Sequence, residues 1–266
     1  MAALWFIVKY RFSSNYSDSG KVSLDAIEQA PRFNQWMYAS IGPYLGRRVA
    51  ELGSGRGNLT RHLKDRRVLL ATDMRPDYLE KLEERWGGHS GFKVAPLDLT
   101  RAADYAALQE FAPETVVCLN VLEHIEDDRR VLSRLYEVLP AGARLVFLVP
   151  FNPKLMSEFD RQIGHFRRYD KGELEAKMTG AGFAVERQFY FNKAGVFAWW
   201  VGNTLSGQHT LRPWQLKLYN FLTPVLRQMD RVLPTNGLST IVVARKQPDG
   251  ERRTHAGERT LTPAVR

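Results

Sequence analysis

The sequence has little cysteine and no long apolar run, and both absences limit what the protein is. Its 266 residues include one cysteine, Cys118, so a disulfide within the chain and a cysteine-rich zinc site are both excluded. The apolar run at Ala2–Val8 is far shorter than the roughly 20 residues that span a bilayer. It has no basic region before it and no small-residue cleavage site after it, so we expect no signal peptide and a cytoplasmic protein.

The charge is distributed unevenly along the chain. Hydrophobic residues make up 44% and charged residues 25%, as in ordinary globular domains, so a chain that is disordered throughout is excluded. The formal net charge is +9, and +7 of it falls after residue 190. Because this basic portion contains no nucleic-acid-binding motif, a nucleic-acid partner is not favoured.

Apolar strand patterns alternate with helical ones and predict an α/β fold. The predicted strands are 48–52, 67–72, 92–95, 115–119, 144–149, 183–190 and 238–244, and helices are predicted at 58–64, 76–86, 102–111, 127–139 and 172–179. Continuous Val and Leu runs indicate a parallel sheet covered on both faces. We expect one domain over 1–246, with an N-terminal helical cap at 22–46 and a disordered tail at 247–266.

A glycine-rich loop follows the first predicted strand, in the segment Glu51-Leu52-Gly53-Ser54-Gly55-Arg56-Gly57. Glycine there permits positive φ and close approach of the backbone to a ligand. The next strand ends at Asp73, the third is followed by Asp98, and the fourth ends at Asn120. Carboxyl ends of parallel strands meet at one edge, where open α/β sheets bind ligands, and an acid after strand two suits a ribose diol. A loop that merely makes a tight turn is the structural alternative.

The loop differs from the dinucleotide pattern, since Asn58 stands where a third glycine is required and Gly57 precedes it. With its leading Glu51, this E-x-G-x-G-x-G segment resembles the class I S-adenosylmethionine-dependent methyltransferases. The resemblance covers about Pro31 to Phe183 and includes the block 119–150, LNVLEHIEDDRRVLSRLYEVLPAGARLVFLVP. It implies a Rossmann-like three-layer α/β/α sandwich with strand order 3-2-1-4-5-7-6 and an antiparallel last strand.

The same resemblance implies S-adenosylmethionine as cofactor, S-adenosylhomocysteine as product, and a set of cofactor-binding positions. Glu51, Gly53, Ser54, Gly55 and Gly57 would line the methionine moiety. Asp73 would bind the ribose, Met74 would pack on adenine, Asp98 with Leu99 would hold the adenine edge, and Asn120 would lie beside the sulfonium.

Two clusters offer groups for the chemistry, since an oxygen acceptor usually needs a general base. His124 follows the fourth strand, with a structural role as the alternative. In the segment 164–169, His165 is the favoured base, Tyr169 offers a hydroxyl, and Arg168 offers a fork for a substrate carboxylate or phosphate. A latch in which an arginine pairs with Asp160 or Asp170 is the alternative there. The six histidines show no metal-ligand spacing, so no metal site is predicted.

An aromatic and basic insertion, residues 191–237, precedes the last predicted strand. It supplies Phe197 and Trp200 as candidate substrate-binding residues of a lid. The alternatives are completion of the core, a homodimer face and a peripheral membrane contact. The membrane contact is considered because 211–233 alternates cations and apolar residues at helical spacing, as interfacial helices do.

These features favour a methyltransferase for a small apolar or aromatic biosynthetic acceptor, with O-methylation preferred. The alternatives are an RNA or protein methyltransferase and a non-catalytic cofactor-binding partner module.

Overall fold

The computed structural model describes residues 30–64, 68–197 and 213–247, and these contain a seven-stranded sheet. The strands are β1 Arg48–Leu52, β2 Val68–Asp73, β3 Phe92–Pro96, β4 Thr115–Leu119, β5 Arg144–Pro150, β6 Phe183–Phe191 and β7 Ser239–Lys246. Their spatial order is β3-β2-β1-β4-β5-β7-β6. The first five are parallel and β7 runs antiparallel between β5 and β6, so the fold expected from the resemblance is confirmed.

The helices cover both faces of this sheet. They are α1 Pro31–Ile41, α2 Thr60–Leu63, α3 Pro76–Trp86, α4 Ala106–Phe111, α5 Asp128–Val138, α6 Glu158–Gln162, α7 Lys171–Gly180 and α8 Pro213–Val232. Proline begins α1 and α3, where its missing N–H costs nothing. The Asp127 and Asp170 carboxylates accept from the N3 backbone N–H groups of α5 and α7, so side-chain caps begin both helices.

Two apolar cores fill the spaces between sheet and helices because successive strand residues point to opposite faces. One core takes Ala50, Leu52, Val116, Cys118, Leu145 and Phe147, together with residues of α4, α5 and α7. The other takes Val49, Val117, Val146, Leu148, Ile241 and Val243, together with residues of α1, α2 and α3. The continuous apolar strands of the sequence are therefore those of a sheet buried on both faces.

Register aligns the strand ends that position the site. Leu52 at the end of β1 pairs with Thr72 of β2 and with Cys118 of β4. The loops after β1, β2 and β4 therefore leave the sheet side by side. The helix after β1 is shorter than predicted, since residues 55–59 form turns before α2 begins at Thr60.

The insertion before β7 contains residues 193–197, which are helical, and the 20-residue helix α8. Within the described ranges, no helix is both long enough and apolar enough to cross a membrane. Of the expected N-terminal cap, α1 is present and residues 22–29 lie outside the described part. The predicted tail also lies outside it from residue 248 onward.

Candidate active site

The loop after β1 turns sharply because three of its glycines have positive φ. The values are +68° at Gly53, +52° at Gly55 and +81° at Gly57, a region that side-chain-bearing residues rarely adopt. A Cβ at Gly53 would lie 2.5 Å from Cγ2 of Val121, which belongs to the loop after β4. The two loops thus meet at a distance that only glycine permits.

Hydrogen bonds to β2 fix the glycine loop. The backbone N–H of Ser54 donates to the carbonyl of Thr72 at 2.8 Å, and that of Gly55 donates to Oδ2 of Asp73 at 2.9 Å. The other Asp73 oxygen accepts from the backbone N–H of Arg75 at 2.9 Å. The carboxylate predicted to bind a ribose therefore also orients the loop predicted to bind the methionine moiety.

Glu51 lies below the loop in a buried position. The hydroxyl of Thr60, at the start of α2, donates to Oε2 of Glu51 at 2.6 Å. Burial raises the pKa of Glu51 from 4.5 to about 7, and burial likewise raises the pKa of Asp73. A cation bound nearby would favour the ionised forms of these two acids, which burial disfavours.

The positions predicted to hold the adenine lie just after β2 and β3. Met74 is 46% exposed just beyond β2, and Leu99 is buried. Asp98 is bound locally, since its Oδ1 accepts from the backbone N–H and hydroxyl of Thr100 at 2.9 and 2.7 Å. The Tyr105 hydroxyl donates to the carbonyl of Leu99 at 2.8 Å and fixes this segment.

Asn120 is exposed at the carboxyl end of β4, between the glycine loop and the loop after β5. Its φ is +55°, and its backbone N–H donates to the carbonyl of Leu148 at 2.8 Å. Asparagine tolerates this left-handed conformation better than most residues. The structure therefore brings the predicted residues of the glycine loop, Asp73 and Asn120 to one edge of the sheet.

The long loop between β5 and α7 is bound to the segment after β4, and we call the contacts that join them the latch. The backbone N–H of Phe166 donates to the carbonyl of Glu123 at 2.9 Å. The rings of His124 and His165 meet edge to face, with centroids 4.6 Å apart. Burial lowers the pKa of His124 to about 3, so this imidazole is neutral. Two histidines that are distant in sequence are thus placed together, where the loop after β5 meets the segment after β4.

Asp160 is the buried centre of this latch. Its Oδ1 lies 3.1 Å from Nδ1 of His165, and the Arg168 guanidinium donates to its two oxygens from 3.0 and 2.8 Å. Burial by itself would raise the pKa of Asp160, but the hydrogen bonds from His165 and Arg168 outweigh it and hold that pKa well below its usual value. Arg168 is 6% exposed. The structure therefore contains the alternative pairing of Arg168 with Asp160, and the role of Arg168 toward a substrate anion stays a prediction.

Tyr169 also belongs to the latch. Its side chain is fully buried, and its hydroxyl donates to Oδ2 of Asp128 at 2.8 Å. Lys177 Nζ donates to the same oxygen at 2.6 Å. This hydroxyl is therefore enclosed in the protein and bonded to Asp128, and a catalytic role for Tyr169 stays a prediction.

Glu123 is the member of this region that sequence analysis did not select. It is fully buried, neither carboxylate oxygen has a hydrogen-bond partner among the described residues, and Nε2 of His165 lies 3.8 Å from its Oε1. Burial raises the pKa of Glu123 to about 7. One ligand atom each of Glu123, His124 and His165 lie within 4.8 Å of one another, a set that could coordinate a metal ion. Sequence spacing does not reveal this set because two separate loops supply it.

The two predicted lid residues lie in the insertion before β7. Phe197 is 70% exposed at the end of the helical residues 193–197, and Trp200 lies outside the described residues. The role of both residues in binding an acceptor stays a prediction.

Part of the chain is similar to proteins of known class. Residues 50–145 match a family described as a methyltransferase domain. Over 147 residues the chain is 30% identical to the squalestatin hexaketide synthase of Phoma sp., and the match covers 51% of this chain but only 5% of the length of that synthase.

Solved structures share the fold. A methyltransferase of Haloferax volcanii, solved with the Trm112 methyltransferase activator, superposes with a TM-score of 0.57 at 13% identity, over 87% of this chain and 98% of that chain. An S-adenosylmethionine-dependent methyltransferase from Archaeoglobus fulgidus gives a TM-score of 0.53 at 18% identity, over 80% and 94% of the two chains. The described part of the chain therefore has the Rossmann-like fold of these methyltransferases, and its residues 50–145 match a methyltransferase domain.

Proposed function

We propose that the protein transfers a methyl group from S-adenosylmethionine to an oxygen of a small apolar or aromatic acceptor. The observation that carries the proposal is the joint placement of the glycine loop, Asp73 and Asn120 at the edge where the β1, β2 and β4 loops meet. Loop N–H groups and buried acids at one edge suit a cofactor that has a carboxylate, a ribose diol and a sulfonium.

The family resemblance assigns each part of this cofactor to residues at or near this edge. Glu51, Gly53, Ser54, Gly55 and Gly57 would hold the methionine moiety, Asp73 the ribose, Met74, Asp98 and Leu99 the adenine, and Asn120 the region of the sulfonium. When bound, S-adenosylmethionine supplies an electrophilic methyl group. The protein's contribution is then chiefly to hold the acceptor oxygen at attack distance.

His165 is our candidate for the base that takes the proton from an acceptor hydroxyl. Asp160 accepts from its Nδ1, which leaves Nε2 as the basic nitrogen, and Nε2 lies beyond hydrogen-bond distance of Glu123 at 3.8 Å. A carboxylate that fixes the tautomer and orientation of an imidazole is a recurring arrangement in general-base catalysis. Asp160 acts here as a positioning residue. His124, whose pKa is lowered to about 3, supports the His165 ring rather than carrying a proton at neutral pH.

Calorimetric titration with S-adenosylmethionine and with S-adenosylhomocysteine tests the cofactor assignment. We expect both ligands to bind the wild type. Failure of both ligands to bind would overturn the proposed function. Binding without turnover across a screen of phenols, hydroxylated apolar compounds, RNA and protein would instead identify a non-catalytic binding module. Turnover on RNA or protein alone would show that the acceptor is a macromolecule rather than a small apolar or aromatic compound.

The base is tested by His165→Gln, with His89→Gln as control because His89 is an exposed histidine away from the latch. We expect His165→Gln to lower kcat by about 100-fold or more while the cofactor Kd stays unchanged, as for loss of a general base. Near-wild-type turnover by His165→Gln would show that His165 belongs to the latch alone.

Chelation distinguishes a role of His165 as a base from a role as a metal ligand. If His165 acts as a base, dialysis against EDTA leaves turnover unchanged and the purified protein contains no stoichiometric divalent metal. Loss of turnover on chelation, restored by one added divalent ion, would instead assign Glu123, His124 and His165 as ligands.

A further inference from the structure

Helix α8 carries an apolar stripe that the described part of the domain leaves exposed. Its seven large apolar side chains are between 38% and 78% exposed and recur mostly every three or four residues, along one side of a helix. We call them the α8 stripe: Trp214, Leu218, Phe221, Leu222, Val225, Met229 and Val232. Exposed apolar patches of this extent mark interaction surfaces in soluble domains.

The opposite side of α8 is bound firmly to the domain. The ring of Tyr219 packs against Phe33 of α1 with centroids 5.7 Å apart, and its hydroxyl donates to Oδ1 of Asn192 at 2.5 Å. Thr223 is buried, and Leu226 packs on the apolar core beneath α1. Because these side chains face the domain, α8 presents its stripe outward from a fixed position.

The charges on α8 are of one sign where they are exposed. Lys217, Arg227 and Arg231 are exposed. The helix has one acid, Asp230, and its two carboxylate oxygens accept the backbone N–H groups of Asn192 and Lys193. The apolar stripe therefore lies on a helix whose exposed ionic groups are all cationic.

This charge pattern disfavours a second copy of the chain as the occupant. A two-fold contact through the α8 stripe would bring together two helices whose exposed ionic groups are all cationic. The helix offers no exposed acid to pair with these cations, since Asp230 already accepts hydrogen bonds from the backbone at the end of β6. Like charges opposed in this way oppose association.

An anionic bilayer surface complements both the apolar side chains and the cations of α8. Aromatic and aliphatic side chains bury in the boundary between headgroups and acyl chains, while lysine and arginine contact anionic headgroups. We propose that α8 is an in-plane membrane-docking helix, with the α8 stripe inserted at the surface of a bilayer that contains anionic phospholipids. The inference concerns a surface and stands whether or not the proposed methyl transfer is correct.

Flotation of the full-length protein with vesicles tests the proposal. The probes are vesicles of phosphatidylcholine alone and of phosphatidylcholine mixed with phosphatidylglycerol. We expect the wild type to float with the mixed vesicles, to float poorly with phosphatidylcholine, and to lose binding as salt is raised. Failure to float with the mixed vesicles would overturn the proposal.

Two variants and a matched control identify the surface. Phe221→Glu combined with Val225→Glu changes side chains that are 68% and 59% exposed, so folding should be preserved. This variant should lower the vesicle partition coefficient by about 100-fold, because each large apolar side chain contributes roughly tenfold. Lys217→Gln with Arg227→Gln and Arg231→Gln should lose the preference for mixed vesicles. As the control, Lys81→Gln with Lys93→Gln and Arg129→Gln removes three exposed cations elsewhere and should float like the wild type.

Two further measurements complete the test. Circular dichroism and cofactor titration of the same variants should match the wild type, which separates failure of docking from failure of the methyltransferase site. Unchanged flotation of the double glutamate variant would overturn the proposal. So would a wild-type dimer in analytical ultracentrifugation that the same variant converts to a monomer, because the α8 stripe would then be an interface between copies.

Discussion

The backbone N–H of Gly55 donates to the carboxylate of Asp73 at 2.9 Å, across the gap between the loop after β1 and the end of β2. The bond makes the two halves of the predicted cofactor site depend on each other. Asp73, which the family resemblance assigns to the ribose, is also the anchor of the glycine loop. Loss of this carboxylate is therefore expected to affect both ends of the bound cofactor.

Asp73→Ala should weaken cofactor binding by about 100-fold or more. The variant loses the carboxylate that would accept hydrogen bonds from the two ribose hydroxyls, and it also loses the bond that anchors the glycine loop. Isothermal titration with S-adenosylhomocysteine measures the effect. Asp77→Ala is the control, since Asp77 is 49% exposed and pairs with Arg75 at the surface. Equal affinities for the two variants would contradict the assignment of Asp73.

Gly57→Ala should destabilise the fold by about 2–4 kcal/mol, through both backbone strain and a steric clash. The φ at Gly57 is +81°, and a Cβ would lie 2.2 Å from Cζ3 of Trp86 in α3. Urea unfolding measures the difference. Gly88→Ala is the matched control because a Cβ there meets no atom of the described residues within 4 Å, and its change should stay within about 0.5 kcal/mol. Similar losses in both variants would show that the contact with Trp86 is not the cause.

Glu51 should make the stability depend on pH in the direction opposite to that of most carboxylates. Its folded pKa of about 7 lies above the ordinary value of 4.5, so the folded state holds the proton more tightly. The contribution of Glu51 is therefore most favourable below 4.5 and is lost as the pH rises toward 7, by up to roughly 3 kcal/mol.

The comparison of wild type with Glu51→Gln isolates this effect. Between about pH 5 and pH 8 the wild type should lose free energy of unfolding relative to Glu51→Gln, which has no proton to release. Glu80→Gln serves as an exposed control and should give a difference from wild type that does not change with pH. A pH-independent difference for Glu51→Gln would show that Glu51 is not held in the protonated form.

Local patterns predicted most of the sheet and its edge. The predicted limits of α3 and β4 agree with Pro76–Trp86 and Thr115–Leu119, because a proline at N1 and an apolar run mark them in the sequence. The order of the strands came from the family resemblance rather than from periodicity. The glycine loop and Asp73 were found because their chemistry lies at strand ends, where the fold fixes their position.

The latch was predicted less well, because it depends on pairing between residues far apart in sequence. Tyr169 and Asp128 are 41 residues apart and meet only once α5 and the loop after β5 are folded. Glu123 was noted only as the neighbour of His124 and was not selected as a site residue, since its burial and unpaired carboxylate cannot be read from the sequence. Pairing of an arginine with Asp160 or Asp170 was predicted only as an alternative, and the structure contains the pair of Arg168 with Asp160.

The Asp160 centre leads to the last prediction. Asp160→Asn leaves the buried guanidinium of Arg168 without its carboxylate, and breaking a buried ion pair in this way typically costs about 3–5 kcal/mol. Glu158→Gln is the control, since Glu158 is 54% exposed and lies 3.7 Å from Arg161 at the surface. That change should cost less than about 0.5 kcal/mol. Chemical unfolding at neutral pH measures both.

The sign of the pH dependence distinguishes a charge effect from a packing effect. The pKa of Asp160 is depressed in the folded state, so its contribution is fully present above the ordinary value of 3.8 and is lost as the pH falls below it. The difference between wild type and Asp160→Asn should therefore shrink on acidification. A difference that stays constant into the acid range would mean that the substituted amide packs poorly for reasons of shape, and that the ion pair with Arg168 is not what holds the latch.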